Sequence, residues 1–248
     1  MTASHSSAIS VRALDKSFGE GDARIHVLKQ TAFEARQGEM MFLVGPSGCG
    51  KTTLLSIVAG TLQGDGGDIE VLGHPLSRLS RAAVTAFRAQ HIGFIFQQFD
   101  LISTLTVADN VSVPLLIQGV PAREALRRAE ETLERVGIRE KAGQLPGRLS
   151  GGQQQRVAIA RALVHEPRLI ICDEPTAALD AKNGHIVMEL FEHVARGQDR
   201  AVLIVTHDNR IFHHANRIAS MDDGQVIEVH DVDANHPPPE HLSVHERL

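Results

Sequence analysis

Residues 45–53 read Gly-Pro-Ser-Gly-Cys-Gly-Lys-Thr-Thr, directly after the apolar run Met40-Met41-Phe42-Leu43-Val44 and before the helix-forming Leu54-Leu55-Ser56-Ile57-Val58. Strand, glycine-rich turn and helix start, in that order, make a phosphate-binding loop. A triphosphate needs dense positive potential without steric bulk. Gly45, Gly48 and Gly50 let backbone N–H groups curl around the phosphates, and the helix N-terminus adds its partial positive charge. Lys51 is placed to reach the β- and γ-phosphates, and the Thr52 hydroxyl can ligate Mg²⁺. Pro46, Ser47, Cys49 and Thr53 complete the loop.

Other clusters carry related chemistry. Leu149-Ser150-Gly151-Gly152-Gln153 stands before a helical run from Gln154 to Leu163. Ser150 reads as an N-cap, and Gly151 and Gly152 leave backbone N–H groups bare at a second anion site. Asp173 and Glu174 follow the apolar Leu169-Ile170-Ile171-Cys172. A carboxylate at the carboxyl end of such a strand can hold Mg²⁺. Taken alone, two acids after a strand are as easily a solvated turn, and a single histidine such as His207 at a strand end means little.

The elements that must position these residues can be read from pattern. Strand-like segments fall at 8–13, 25–36, 40–44, 68–73, 92–96, 168–172 and 201–205, and a hairpin around Asp222-Asp223-Gly224 joins Ile218 to Val229. Apolar runs without alternation, such as 201–205, suggest a parallel sheet covered on both faces. Helices are expected at 51–60, 78–90 and 121–136. The last starts at Pro121 and carries Ala125, Leu126, Ala129, Leu133 and Val136 on one face. Its opposite face of Arg and Glu reads as solvated. His213 and His214 are expected on a surface helix. Residues 231–248, with Pro237-Pro238-Pro239 and His230, His236, His241 and His245 in or beside them, read as a flexible His- and Pro-rich tail.

Composition sets the outer limits. Hydrophobic residues make up 42 % and charged residues 22 %, enough to bury a real core. The net charge of −5 gives no basic bias toward nucleic acid or anionic lipid. No apolar run approaches the ~20 residues that span a bilayer. The polar N-terminus, without Lys or Arg in residues 1–7, is not expected to be a signal peptide. Any membrane role is therefore expected to come through a partner. Cys49 and Cys172, one in the loop and one in a core strand, fit a reducing cytoplasm better than a disulfide.

The Ser150–Gln153 segment together with the phosphate loop resembles the signature of ABC-type ATPases, and the likeness runs over about residues 8–230. It implies a P-loop NTPase (RecA-like) α/β core with a mostly parallel sheet at about 8–97 and 165–230. An N-terminal antiparallel β subdomain and an inserted α-helical subdomain at about 98–164 complete the expected architecture. Asp173-Glu174 match the family's second nucleotide motif, so Glu174 is implied as the base that polarises the attacking water and Asp173 as a Mg²⁺ holder. His207 matches the switch histidine. Gln97 matches the glutamine that joins the γ-phosphate and Mg²⁺ to the helical lobe. Asp180, in Ala178-Leu179-Asp180, matches the acid that faces a partner subunit. Phe18 stands where the family usually places an aromatic on adenine; the chain has no Tyr or Trp, so the stacking is kept without a hydroxyl. The implied cofactors are ATP and Mg²⁺. The implied assembly is an ATP-dependent head-to-tail homodimer in which Ser150, Gly151, Gly152 and Gln153 of one copy cap the nucleotide on Lys51 of the other.

The branch is suggested by finer likeness. Gln97-Gln98-Phe99-Asp100-Leu101, followed by Leu105-Thr106 and Asn110-Val111, is similar to the macrolide-efflux and lipoprotein-release group. Asn209-Arg210-Ile211 and Met221-Asp222-Asp223-Gly224 resemble glycolipid-exporter ATPases of cyanobacterial type. The resemblance implies integral-membrane permease subunits as partners, a periplasmic adaptor as a further one, no nucleic acid, and a place at the cytoplasmic face of the inner membrane. A regulatory ATPase of cell-division type and an importer ATPase are the alternatives. A soluble ABC ATPase of translation or DNA repair fits less well, because the chain has one cassette and no Cys pair at metal spacing.

Overall fold

A computed structural model describes residues 6–96, 99–177, 179, 181–195 and 199–233. The central sheet has six strands: β3 (Met40–Val44), β6 (Ile92–Ile95), β7 (Leu169–Asp173), β8 (Ala201–Val205), β9 (Arg217–Asp222) and β10 (Gln225–Asp231). Their order is β10-β9-β3-β8-β7-β6, parallel except for the β9–β10 hairpin. A smaller antiparallel sheet has the order β2-β1-β4-β5, from β1 (Ser7–Phe18), β2 (Ile25–Arg36), β4 (Gly66–Val71) and β5 (His74–Pro75).

The continuous apolar runs are explained by burial on both faces. Met40, Phe42, Val44, Ile170, Cys172, Val202 and Ile204 enter one core. Their neighbours Met41, Leu43, Leu169, Ile171, Leu203 and Val205 enter the other. Successive strand residues point to opposite faces, so a strand covered twice has no polar position to spare. The first core is shared with α3 (Val107–Ile117), α4 (Ala122–Arg135), α5 (Gly151–Leu163) and α6 (Ala181–Ala195). The second is shared with α1 (Lys51–Val58), α2 (Arg81–His91) and the antiparallel sheet.

Several boundaries differ from the sequence reading. The first strand runs on to Phe18, accommodating register shifts after Val11. Helix α2 starts at Arg81, because Ser80 caps it by accepting from the Ala83 N–H at 3.3 Å. In α4, Ala125, Ala129 and Leu133 are buried as expected, but Leu126 is exposed. Thr132 takes the inward place instead, its hydroxyl donating to Arg128 O at 2.8 Å. The charged face of α4 pairs within itself, Arg127 bridging Glu124 and Glu131. His213 and His214 lie on a 3-10 segment (Asn209–His214), and His214 is buried, its Nδ1 2.5 Å from Glu192 Oε1. Chain position could not reveal that partner on α6. Of the expected tail, Asp231 is the last residue of β10 and residues 232–233 follow it; the remainder, with His236, His241 and His245, lies outside the described residues.

The loop before α3 is held through its main chain. Asn110 is fully buried. Its Oδ1 accepts from the Ile102 N–H at 2.7 Å, and its Nδ2 donates to the carbonyls of Ile102, Leu105 and Thr106. Arg161 of α5 donates to Phe99 O at 2.7 Å and Asp100 O at 2.6 Å, and both those residues have positive φ. A capping box of Thr106 and Asp109 starts α3. Asn110→Ala would leave several of these groups without partners. Unfolding stability should fall by about 2–3 kcal/mol, read as a lower urea midpoint at unchanged slope.

Candidate functional site

Adjacent strands β3, β8 and β7 end side by side, and each carries one piece of the predicted site on the loop that follows it. The phosphate loop follows β3, Thr206-His207-Asp208 follows β8, and Glu174 follows β7. Open parallel sheets bind ligands at this edge.

Gly50 begins α1 in the left-handed region (φ 109). A Cβ there would come within 3.0 Å of Val27 O and of the Leu28 and Met221 side chains, so only glycine fits. Gly48 (φ 81) faces open space, where backbone can meet a ligand. No side chain caps α1, so its first N–H groups suit an anion. Lys51 Nζ lies in the loop, donating to Gly45 O at 2.8 Å and Pro46 O at 2.9 Å. Cys49 and Cys172 are buried free thiols, and burial pushes the Cys49 thiol above its ordinary pKa. This is the reverse of the activation a helix N-terminus can give. A wide cavity of about 880 Å³, lined by Lys16, Gly60, Asp65 and Arg88, lies at the other end of α1. There the helix presents carbonyls, which disfavour an anion.

Thr52 lies beside Asp173, its hydroxyl favouring the ionised carboxyl. Burial, then the charge of Glu174, raises the Asp173 carboxyl above its usual range, against the opposing pull of Lys51 and Thr52. A dication would relieve that cost. A hydroxyl and a carboxylate are hard oxygen donors, the kind Mg²⁺ takes alongside phosphate oxygens and water.

Glu174 has positive φ (53), and its N–H donates to Val205 O at 2.9 Å, turning the chain back toward β8. Its Oε1 meets His207 Nδ1 at 2.8 Å. Its Oε2 is buried with no hydrogen-bond partner among the described residues. A buried carboxylate oxygen left over in this way is a ready acceptor for a substrate proton. Asp208 accepts from the Thr176 hydroxyl at 3.1 Å and from Arg210, whose guanidinium holds the Asp208 carboxyl below its ordinary range. Thr176 and Asp208 are site neighbours that the sequence reading did not single out.

The remaining predicted residues lie around this centre. Ser150 caps α5, accepting from the Gln153 N–H at 3.4 Å, while Gln153 Oε1 accepts from the Ser150 N–H at 3.0 Å. Among the described residues no hydrogen bond joins this cap to the phosphate loop. Phe18 is exposed at the end of β1, with Lys16 Nζ 5.4 Å from its ring centroid. Gln97 and Asp180 fall outside the described residues.

A parallel sheet whose neighbouring strands end in a phosphate loop, an acidic pair and a histidine defines a P-loop ATPase. Residues 28–177 match the family model described as ABC transporter. The chain belongs to that family, and it hydrolyses ATP. It is 42 % identical over 220 residues to the lipoprotein-releasing system ATP-binding protein LolD of Bacteroides fragilis, covering 88 % of this chain and 100 % of that protein. It is 40 % identical over 219 residues to the macrolide export ATP-binding/permease protein MacB of Aggregatibacter actinomycetemcomitans. That match covers 88 % of this chain and 34 % of MacB, so the chain spans about a third of that relative's length. Among solved structures, the dimeric post-hydrolysis state of the ATP-binding cassette MJ0796 bound to ADP and Pi superposes with a TM-score of 0.84. The two are 34 % identical, over 91 % of this chain and 99 % of that one.

Proposed function

We propose that this chain is the ATP-driven motor of an exporter or mechanotransmission complex of the macrolide-efflux and lipoprotein-release type. The carrying observation is the 42 % identity to a lipoprotein-releasing ATP-binding protein over that protein's whole length. Among the described residues no helix is long and apolar enough to cross a membrane. Movement of a membrane substrate would then require a permease, with a periplasmic adaptor completing the machine and the chain peripheral at the cytoplasmic face.

In this reading two copies close head to tail on ATP. Lys51 and the N–H groups of residues 48–53 would hold the phosphates, and Thr52, Asp173 and Gln97 would hold Mg²⁺. When bound, the cation supplies charge neutralisation at the phosphates. Glu174 takes a proton from the attacking water, and His207 steadies the carboxylate. Ser150, Gly151, Gly152 and Gln153 of the second copy close the site, with Asp180 facing across the interface and Phe18 on the adenine. Dimeric structures of the MJ0796 cassette support the pairing. Closure by ATP and opening after hydrolysis give a two-state stroke.

The test is affinity purification of a tagged Glu174→Gln chain from its native membranes with ATP and Mg²⁺, followed by mass spectrometry. Recovery of a permease with a periplasmic adaptor is expected. A permease with wall-remodelling proteins would move the assignment to the regulatory class, and a permease with a solute-binding protein to import. Soluble partners alone would sink all the membrane roles.

A further inference from the structure

The contact between Glu174 and His207 is poorly protected. The Glu174 side chain is 12 % exposed, but the imidazole of His207 is 73 % exposed. Exposed pairs contribute little to holding two loops in one geometry. In-line attack tolerates only small errors of position. The backbone bond from Glu174 N–H to Val205 O ties the start of the loop after β7 to the end of β8, and a side-chain link further along would hold the two loops in register.

Asp208 supplies it. Its Oδ1 accepts from the Arg210 N–H at 3.1 Å and Nε at 2.8 Å. Its Oδ2 accepts from Arg210 Nη2 at 2.8 Å and from Thr176 Oγ1 at 3.1 Å. Its own N–H donates to Thr206 Oγ1 at 3.0 Å. Asp208 directly follows His207, and Thr176 lies two residues after Glu174. Both are sheltered: Thr176 is buried and the Asp208 side chain is 12 % exposed. The Thr176 carbonyl also accepts from Leu179 N–H, closing the turn that Glu174 opens. A Cβ on Gly184 would lie 3.6 Å from Thr176 Cγ2, so α6 packs closely over the methyl group.

We propose that the Thr176–Asp208 hydrogen bond is the positioning link that holds Glu174 and His207 in register, with Arg210 fixing the acceptor orientation of Asp208. The inference rests on the assignment of Glu174 and His207 given above. Neither Thr176 nor Asp208 touches the reacting atoms in this scheme. Both act through the dyad beside them. Among the described residues, two side-chain links join the loops, the dyad toward solvent and this pair in the interior, beside the backbone bond from Glu174 N–H to Val205 O.

The experiment compares Thr176→Val, Thr176→Ser and Arg210→Ala with the parent chain by steady-state ATP hydrolysis, using Glu174→Gln as a control. Valine keeps the shape and removes the hydroxyl. Its kcat should fall about 10–100-fold with KM for ATP nearly unchanged, and serine should restore most of the loss. In the Glu174→Gln background, Thr176→Val should leave ATP-dependent dimerisation intact. Arg210→Ala alters a side chain that is 62 % exposed, and it keeps the test available if the valine variant does not fold; it should lower kcat severalfold. An unchanged kcat, a KM that rises in proportion, failure of serine to rescue, or loss of the ATP-bound dimer would each overturn the proposal. Undiminished turnover by Glu174→Gln would instead overturn the assignment of the base on which it rests.

Discussion

Glu174→Gln should lower ATP turnover by about 10²–10⁴-fold, the usual contribution of a positioned general base, while ATP binding persists. The amide is isosteric and cannot accept a proton as the carboxylate does. Of the two carboxylate oxygens, Oε1 meets His207 and Oε2 is buried without a hydrogen-bond partner among the described residues. Because substrate stays bound and uncleaved, the variant should accumulate as an ATP-bound dimer. Single-turnover phosphate release and size-exclusion chromatography with ATP and Mg²⁺ measure both parts. Turnover at the parental rate would remove Glu174 from the role of base.

Lys51→Ala should fail one step earlier, at nucleotide binding. The ammonium sits on the carbonyls of Gly45 and Pro46, at the mouth of the loop. Hydrogen bonds to charged groups contribute about 1.5–3 kcal/mol each. Losing contacts to two phosphates should therefore weaken ATP binding by about 10²–10⁴-fold. Calorimetric titration of ATP reads this directly. The melting temperature without nucleotide should change little, since the lysine lies outside both cores. An affinity within a fewfold of the parent would mean that the backbone N–H groups alone hold the phosphates.

Both variants alter residues that are legible in the sequence, and so are the signature cap and the core strands. Each of these features is local: a few consecutive residues carry its chemistry or its burial pattern. The two-sided burial of β3, β7 and β8 follows from apolar runs that leave no polar face. Contacts between distant segments leave no such trace. Nothing near Thr176 announces Asp208, and nothing in α5 announces that Arg161 grips the turn at Phe99 and Asp100. His214 reads as a surface residue because its partner Glu192 lies on another helix. Leu126 reads as inward because helical spacing cannot distinguish the centre of an apolar stripe from its rim.

The loop of residues 99–106 carries a last consequence. The hydrogen bonds that Asn110 and Arg161 make to it all run to its carbonyls and N–H groups, while Phe99 and Leu101 pack against the core. Its course is therefore independent of what Ile102, Ser103 and Thr104 happen to be, and all three face solvent. Such a mount accepts interchangeable tips. Substitution at these three positions would change the outer surface of the loop and leave untouched the hydrogen bonds that fix its course.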